Sequence, residues 1–154
     1  MPKKFARFQI SQAGLLIRDD KCLLLQFSGG SGKWCLPGGR VDEREFMDDP
    51  NLRDLAFRRE MKEETGLTDF EVLGVVDYDL WYTQDGIPFC GIVNLIESKT
   101  EQIRLSHEHL RLVWAPCSEL GQYPFAWSKL KRMIEKGFQL KKSELKQSAP
   151  KKFF

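Results

Sequence analysis

Residues 59–67 of this chain are, in order, Arg-Glu-Met-Lys-Glu-Glu-Thr-Gly-Leu, which places carboxylates at Glu60, Glu63 and Glu64. At 3.6 residues per turn, the spacing i, i+3, i+4 puts the three side chains within about 100° of one helix face. Asp49-Pro50-Asn51 is a helix-start signal, and Gly66 stands where helices commonly end. The sequence therefore predicts a helix from about residue 52 to residue 65 with one acidic face.

The acidic face is also partly apolar, because Ala56 and Phe57 fall in the same arc. We therefore expect it to border a cleft. Three clustered carboxylates raise one another's pKa and cost free energy. A divalent cation offsets that cost, and hard oxygen ligands suit Mg²⁺ or Mn²⁺. The alternative is an ordinary solvated acidic face, because Glu-x-x-Glu-Glu is a common helical pattern.

Upstream of the helix, residues 33–39 are Lys-Trp-Cys-Leu-Pro-Gly-Gly. Without a Cβ, the backbone at Gly38 and Gly39 can approach a metal ion or a phosphate group closely. Carbonyl groups there could complete a metal shell, and N–H groups could meet a phosphate. Residues 28–40 as a whole are predicted to be a loop, and residues 28–32 lack the Lys-Ser/Thr ending of a phosphate-binding P-loop.

Further from the helix, hydrophobic periodicity predicts an α/β domain with a sheet and flanking helices. Residues 8–18 and 22–27 form one predicted hairpin. Residues 72–82 and 87–96 form a second, around Thr83-Gln84-Asp85-Gly86. A short strand at 111–115, a helix at 125–138 and a basic, flexible tail at 141–154 complete the prediction.

Length and charge favour a single domain, since the chain has 154 residues and a net charge of +2. The charge is distributed unevenly, because residues 141–154 at the C-terminal end hold five lysines and one glutamate. Without them, the main domain carries 19 basic and 21 acidic residues. A domain that covers a long nucleic acid needs a basic face on the fold itself. Contact with nucleic acid is therefore expected, if at all, only through the tail, and the favoured interpretation is a solvated tail.

The four cysteines are scattered and form no CxxC pair, which argues against zinc and redox motifs. We expect four reduced thiols in a cytoplasmic protein. No apolar run approaches the 18–20 residues of a membrane span, and no signal peptide is recognisable, so no membrane partner is expected.

Gly39, Glu45 and residues 59–67 together resemble the Nudix box, in which Gly, five residues, Glu and seven residues precede Arg-Glu-apolar-any-Glu-Glu-any-Gly-apolar. The preceding Trp34-x-Leu36-Pro37-Gly38 is also typical of that family. Thirteen residues lie between Glu45 and Arg59 where the motif has seven, which indicates a six-residue insertion at about 46–51. Arg44 also stands where the family usually has Gly.

The resemblance covers about residues 6–138 and implies a Nudix-type α/β/α sandwich with a central mixed sheet. The predicted Nudix domain is 1–140. The implied activity is Mg²⁺-dependent hydrolysis of the pyrophosphate bond of a nucleoside diphosphate derivative, such as a nucleoside triphosphate, a nucleotide sugar or a dinucleoside polyphosphate, with release of a nucleoside monophosphate. Alternatives are an RNA 5′-pyrophosphohydrolase, favoured only by the tail, and a nucleotide-binding module without turnover. Many relatives dimerise, so a homodimer is a candidate.

Carried over by position, the resemblance implies that Glu60, Glu63, Glu64 and the Gly38 carbonyl hold the metal. Arg59 would orient a carboxylate; the alternative is an ordinary helix salt bridge to Glu63, and both can be true. The resemblance implies a catalytic set of Arg59, Glu60, Glu63 and Glu108. Within it, the general base is either a box glutamate or Glu108, whose alternative is a plain surface acid.

Aromatic residues near element ends are candidates for stacking a nucleobase, although most aromatics on strands and helices belong to the core. Among Trp81, Tyr82, Phe89 and Trp127, the preferred substrate-binding residues are Tyr82 and Trp127. The two histidines, His107 and His109, are interpreted as non-metal residues, because no third ligand lies nearby in the sequence.

Overall fold

The computed structural model describes residues 1–45, 52–100 and 102–148, so the insertion predicted at 46–51 lies outside the described residues. The elements are β1 (Gln9–Arg18), β2 (Lys21–Phe27), β3 (Trp34–Cys35), β4 (Gly38–Arg40), α1 (Leu52–Thr65), β5 (Glu71–Tyr82), β6 (Pro88–Glu97), β7 (His109–Pro116), a 3₁₀ helix (Cys117–Gln122) and α2 (Leu130–Ser148).

The sheet is mixed. Along its main path the strand order is β3-β2-β1-β6-β5, with β4 also paired to β1 and β7 to β2. Strands β1 and β6 are parallel, whereas the pairs β5–β6, β1–β4, β2–β3 and β2–β7 are antiparallel. The expected mixed sheet of a Nudix-type sandwich is thus confirmed.

The first hairpin opens into a cleft. Strands β1 and β2 pair at Ile17↔Cys22 and Arg18↔Lys21, beside a turn in which Asp19 and Asp20 have positive φ. Beyond those pairs, β1 joins β4 and β6, while β2 joins β3 and β7. The segment from β3 to β4 crosses between the diverging strands, and the Gly14 amide anchors it by donating to the Pro37 carbonyl at 2.8 Å.

Each helix covers one face of the sheet. Helix α1 buries Phe57 and Met61 in an apolar cluster with Leu16, Leu23 and Ile96. The larger cluster on the opposite face packs α2 against the sheet through apolar residues that include Leu15, Val93, Met133, Ile134 and Phe138. Burial of such side chains contributes about 1.5–3 kcal/mol each. These two layers place α1, with its carboxylates, over the strands that border the cleft.

Strand and helix positions follow the predictions closely, with exceptions that have physical reasons. Helix α1 spans the predicted residues. Within the predicted loop 28–40, β3 and β4 are strands of two and three residues, too short to show periodicity. The helix predicted from 125 begins at Leu130, because Phe125 forms a bridge with Trp34 and the Ala126 amide donates to the Trp34 carbonyl at 2.9 Å.

The second helix extends beyond the predicted domain boundary. It continues to Ser148, so residues 141–148, which were predicted to belong to a flexible tail, are helical. Lys141 helps to anchor it, since its Nζ donates to the Ile17 carbonyl at 2.7 Å. All four cysteines are free thiols, as expected. None of the helices in the described part of the chain is long and apolar enough to cross a membrane.

Candidate active site

Packing of α1 decides where its carboxylates point. Phe57 and Met61 are buried against the sheet, which fixes the rotation of the helix about its axis. Gly66 ends the helix with a positive φ of 74°, and its amide donates to the Lys62 carbonyl at 2.9 Å. The acidic face then meets β4, and its residues differ in exposure: the side chain of Glu63 is 57% exposed and that of Glu64 only 8%.

Two glycines leave room for the acidic face. A Cβ on Gly38 would collide with the Gln12 carbonyl and lie 2.6 Å from the Ala13 Cα, and the φ of Gly38 is 150°. A Cβ on Gly39 would instead collide with the carboxylate of Glu60. The first glycine is therefore required by the backbone of β1, and the second by a side chain of α1.

Arg59 holds three carboxylates. Its guanidinium donates to Glu45 through Nε, pairs with Glu60 at 3.0 Å, and pairs with Glu63 at 3.1 Å. It also donates to the Arg40 carbonyl at 3.3 Å, which ties α1 to β4. The hydrogen bond from Arg59 lowers the pKa of Glu45 below its usual range. The helix salt bridge to Glu63 is thus present beside contacts with Glu60 and Glu45, and the orienting role of Arg59 stays a prediction.

Glu64 is the buried member of the set. Its Oε2 accepts a hydrogen bond from the Gly38 amide at 2.7 Å, and its Oε1 lies 3.9 Å from Nε2 of His109. Burial is the largest cause that raises the pKa of Glu64, to about 8, and nearby carboxylates add to it. Burial likewise raises the pKa of Glu60. Burial thus disfavours the charged form of both carboxylates, and at Glu60 the charge of Arg59 offsets only part of this effect.

Glu108 lies on the loop before β7. The amide and hydroxyl of Ser28 each donate to its carbonyl at 3.0 Å, which holds this loop against the end of β2. Its exposed carboxylate raises the pKa of both Glu60 and Glu64 by charge repulsion. Glu108 therefore lies close enough to the acidic helix for its charge to act on Glu60 and Glu64.

The donor set fits a hard divalent cation. Glu60 and Glu64 lie against the glycine turn, and Glu63 is exposed on the same helix. Glu60 and Glu64 have raised pKa values that a bound cation would lower. Among the described residues, no three His, Cys, Asp or Glu side chains are already arranged to bind a metal ion together. Arg59 instead holds Glu60 and Glu63, and Gly38 holds Glu64.

A cavity of about 290 Å³ lies beside this acidic end. Glu64 and Gly38 line one part of it, and Trp81, Phe89 and Trp127 line another. The ring centroids of Trp81 lie 4.6 Å from Phe89 and 4.7 Å from Trp127. These three rings form an aromatic wall, and this wall and the acidic end at Glu64 belong to one cavity.

Trp127, one of the two predicted substrate-binding residues, lines the cavity, whereas Tyr82, the other, does not. Tyr82 is 74% exposed and lies beside the N-terminal segment. Side chains alternate along β5, so the neighbour Trp81 faces Trp127 and Tyr82 faces away. Sequence reasoning also missed Gly91, where a Cβ would come within 2.8 Å of both tryptophans. The alternation of side chains along β5 could be predicted from the sequence, but which face of the strand borders the cleft could not.

Comparisons with known proteins agree with this geometry. The NUDIX domain family model matches residues 8–136. No match was found among curated protein sequences.

Several solved structures share this fold. The chain is similar to an Ap4A hydrolase from C. elegans, with a TM-score of 0.72, 19% identity, and coverage of 88% of this chain and 98% of that one. It is similar to an ADP-ribose pyrophosphatase from Streptococcus suis, with a TM-score of 0.67, 21% identity, and coverage of 88% and 93%. It is also similar to the NUDIX domain of Shewanella oneidensis NrtR complexed with ADP ribose, with a TM-score of 0.68, 21% identity, and coverage of 91% and 92%.

Sequence identities of 19–21% support a shared fold. The family model matches most of the chain, including the glycine turn and the acidic helix. The chain belongs to the Nudix family of pyrophosphohydrolases.

Proposed function

We propose that this protein hydrolyses the pyrophosphate bond of a nucleoside diphosphate linked to a further group, with Mg²⁺ or Mn²⁺ as cofactor, and releases a nucleoside monophosphate. The observation that carries this proposal is the single cavity that joins Glu64 to the Trp81–Trp127 wall. The end at Glu64 supplies oxygen ligands for a cation that binds the diphosphate, and the aromatic end supplies a surface on which a base can stack. The named relatives that act on Ap4A and ADP-ribose support the same substrate class.

In this proposal Glu60, Glu63, Glu64 and the Gly38 carbonyl hold the cation. When bound, the cation neutralises charge on the bridging phosphates and lowers the pKa of a coordinated water. Arg59 acts through the carboxylates that it contacts, because its guanidinium already joins Glu60 and Glu63 at 3.0 and 3.1 Å. It fixes their orientation before the substrate arrives.

Two groups are candidates for accepting the proton of the attacking water. Glu63 is the most exposed of the three proposed metal-binding glutamates, and Glu108 is an exposed carboxylate on the loop before β7. Glu108 raises the pKa of both Glu60 and Glu64, so it lies near the reacting region. We favour Glu108, because its carboxylate is not held by Arg59.

Trp127 and Trp81 are proposed as the wall on which the base stacks. The cavity surface around them is apolar, and its lining includes Ala13, Leu36 and Ile92. Stacking on aromatic side chains contributes about 1–3 kcal/mol per base. Arg40 lies beside this wall, with its guanidinium 5.8 Å from the Phe89 ring centroid, where a phosphate of the substrate could contact it.

The test is a substrate panel in Mg²⁺ that includes nucleoside triphosphates, ADP-ribose, other nucleotide sugars, dinucleoside polyphosphates and RNA with a 5′-triphosphate. Glu63→Gln and Glu64→Gln are assayed in parallel, with the exposed Glu119→Gln as a matched control. We expect one class to turn over, and both helix variants to lose that turnover while the control keeps it. If no substrate turns over while a nucleotide raises Tm, the protein is a binding module and the proposal is wrong.

A further inference from the structure

The end of strand β2 meets the loop before β7 at the edge of the cavity, although the proposed function uses only Glu108 from this junction. Phe27, the last residue of β2, lines the cavity, and its ring stacks on His109 with a centroid distance of 5.5 Å. Ser28 follows directly and is exposed. The contacts of Ser28 therefore bear on how the loop that carries Glu108 sits beside the cavity.

The regular pairing of β2 with β7 is interrupted at this junction. Gln26 pairs with Arg111 and Phe27 pairs with His109, so β7 has one extra residue, Leu110, between the two pairs. A bulge of this kind disrupts the local ladder of hydrogen bonds and bends its strand, and bulges next to active sites re-aim side chains. Beyond the bulge, the position of the loop before β7 depends on contacts outside the ladder.

Ser28 supplies such contacts. Its amide and its hydroxyl each donate a hydrogen bond to the Glu108 carbonyl at 3.0 Å. On the other side of the same residue, the Glu108 amide donates to Ser106 Oγ at 3.3 Å. The backbone of Glu108 is therefore held at its carbonyl by the residue that follows β2, and at its amide by its own loop.

The carboxylate of Glu108 has no comparable anchor within the described part of the chain. Its side chain is exposed, and none of the described residues donates a hydrogen bond to it. After burial, which is the largest cause, its charge is among the causes that raise the pKa of Glu60 and Glu64, so it lies near the acidic helix. Because a side chain extends from its own Cα in a few preferred rotamers, the placement of the Glu108 backbone decides which positions the carboxylate can reach.

We propose that Ser28 is a positioning residue for Glu108: its amide and hydroxyl hold the Glu108 carbonyl, and thereby keep the carboxylate within reach of the attacking water. This inference rests on the proposed function, in which Glu108 accepts the proton of that water. A general base acts only within hydrogen-bond distance of the proton that it accepts, so a small displacement of its backbone lowers the rate. Ser28 acts through Glu108 and takes no part in the reaction itself.

The test measures kcat, KM and Tm of the full chain, on the substrate identified by the panel, for a graded series at Ser28. Ser28→Ala removes the hydroxyl donor and keeps the amide, whereas Ser28→Pro removes both. One hydrogen bond corresponds to about 2–10-fold in an equilibrium constant. We therefore expect kcat to fall about 3-fold or more in Ser28→Ala and about 10-fold or more in Ser28→Pro, with KM unchanged.

Rescue and a matched control separate positioning from damage to the loop. Ser28→Thr keeps both donors and should keep the wild-type kcat. Ser31→Ala is the control, because Ser31 is an exposed serine of the same loop whose hydroxyl accepts from the Lys33 amide at 3.3 Å. Its kcat should equal that of the wild type, and a loss as large as that of Ser28→Ala would contradict the positioning role. Should Ser28→Pro fail to fold, Ser28→Ala and its rescue by Ser28→Thr decide the question.

A double-mutant cycle tests whether Ser28 acts through Glu108. In Glu108→Gln, which lacks the proposed base, adding Ser28→Ala should lower kcat no further. Multiplied losses would show that Ser28 acts independently of Glu108 and would overturn the inference.

The outcomes also separate this inference from the proposed function. Wild-type turnover with unchanged kcat in Ser28→Ala and Ser28→Pro would overturn the positioning role alone. A wild-type kcat in Glu108→Gln would overturn the assignment of the base, and the positioning role with it. A wild-type protein that turns over no substrate would overturn the proposed function itself.

Discussion

The two ends of the cavity are built in different ways. At the acidic end, Glu60, Glu63 and Glu64 come from one helix, and a neighbouring glycine turn completes the site. At the aromatic end, Trp81 and Phe89 face each other across the β5–β6 hairpin, and Trp127 joins them from the loop before α2, which is distant in the chain. The first end depends on local spacing, and the second on tertiary packing. The difference suggests that variants at the acidic end affect kcat and those at the aromatic end affect KM.

The largest effect is expected from Glu64→Gln. The change keeps the shape and removes the charge that would bind the cation, so we expect kcat to fall by about 100-fold or more with little change in KM. Steady-state kinetics on the substrate identified by the panel measures both constants. A rise in KM alone would place Glu64 with the aromatic end and break the comparison.

The next largest effect is expected at Gly39, and it should differ in kind from the effect at the adjacent Gly38. Gly39→Ala should push the Glu60 carboxylate aside, and displacement of a reacting group by about 1 Å can cost on the order of 100-fold in rate. Its Tm should change little, because the far end of Glu60 can move. Gly38→Ala should instead lower Tm, because its Cβ meets the backbone of β1. Thermal unfolding and kcat are measured on both variants, and equal losses of Tm would contradict this distinction.

A smaller effect is expected at the aromatic end. Trp127→Ala removes one stacking surface, worth about 1–3 kcal/mol, so KM should rise about 10-fold or more while kcat changes less. Tyr82→Ala is the control, since Tyr82 is exposed outside the cavity, and both constants should stay at their wild-type values. If Tyr82→Ala raised KM as much as Trp127→Ala, the base would lie outside the cavity.

The smallest effect concerns stability without metal. Burial raises the pKa of Glu64 to about 8, above about 4.3 for an unperturbed Glu. Between these values the folded state binds a proton that the unfolded chain has released, so the free energy of unfolding falls as pH rises. The slope is about 1.4 kcal/mol per pH unit at most.

Denaturant titrations of wild type and Glu64→Gln in EDTA, between pH 6.5 and 8, measure this slope. The lowered pKa of His109 affects both proteins, so its contribution largely cancels in the difference between them. The difference in unfolding free energy between the two proteins should shift with pH in favour of the variant. A constant difference would mean that Glu64 is ionised in the folded protein throughout this range.

Much of the acidic end could be predicted from the sequence. The range of α1, the common face of its carboxylates and the glycine turn all follow from local rules of helix geometry and backbone conformation. The contacts of Arg59 with Glu60 and Glu63 also follow from residues that are adjacent or four apart. Tertiary packing added Glu45, because its contact with Arg59 spans fourteen residues.

Other features could not be predicted from the sequence, because they depend on which elements meet. The burial of Glu64 against Gly38 and His109 requires α1, β4 and β7 to come together. Residues 141–148 have too few apolar side chains to indicate a helix, yet they continue α2. Trp81, and not Tyr82, faces the cavity because of where β5 lies in the sheet.

The sequence by itself determined the family, the acidic helix and the residue types of the proposed metal site, since all of them are written in short spacings along one element. Only the tertiary structure decided that the diverging strands of the first hairpin open a cleft, that Glu64 is its buried carboxylate, and that Trp81 and Trp127 form its wall. Those features arise from pairings between distant segments, and a single sequence does not specify which faces those pairings bring together.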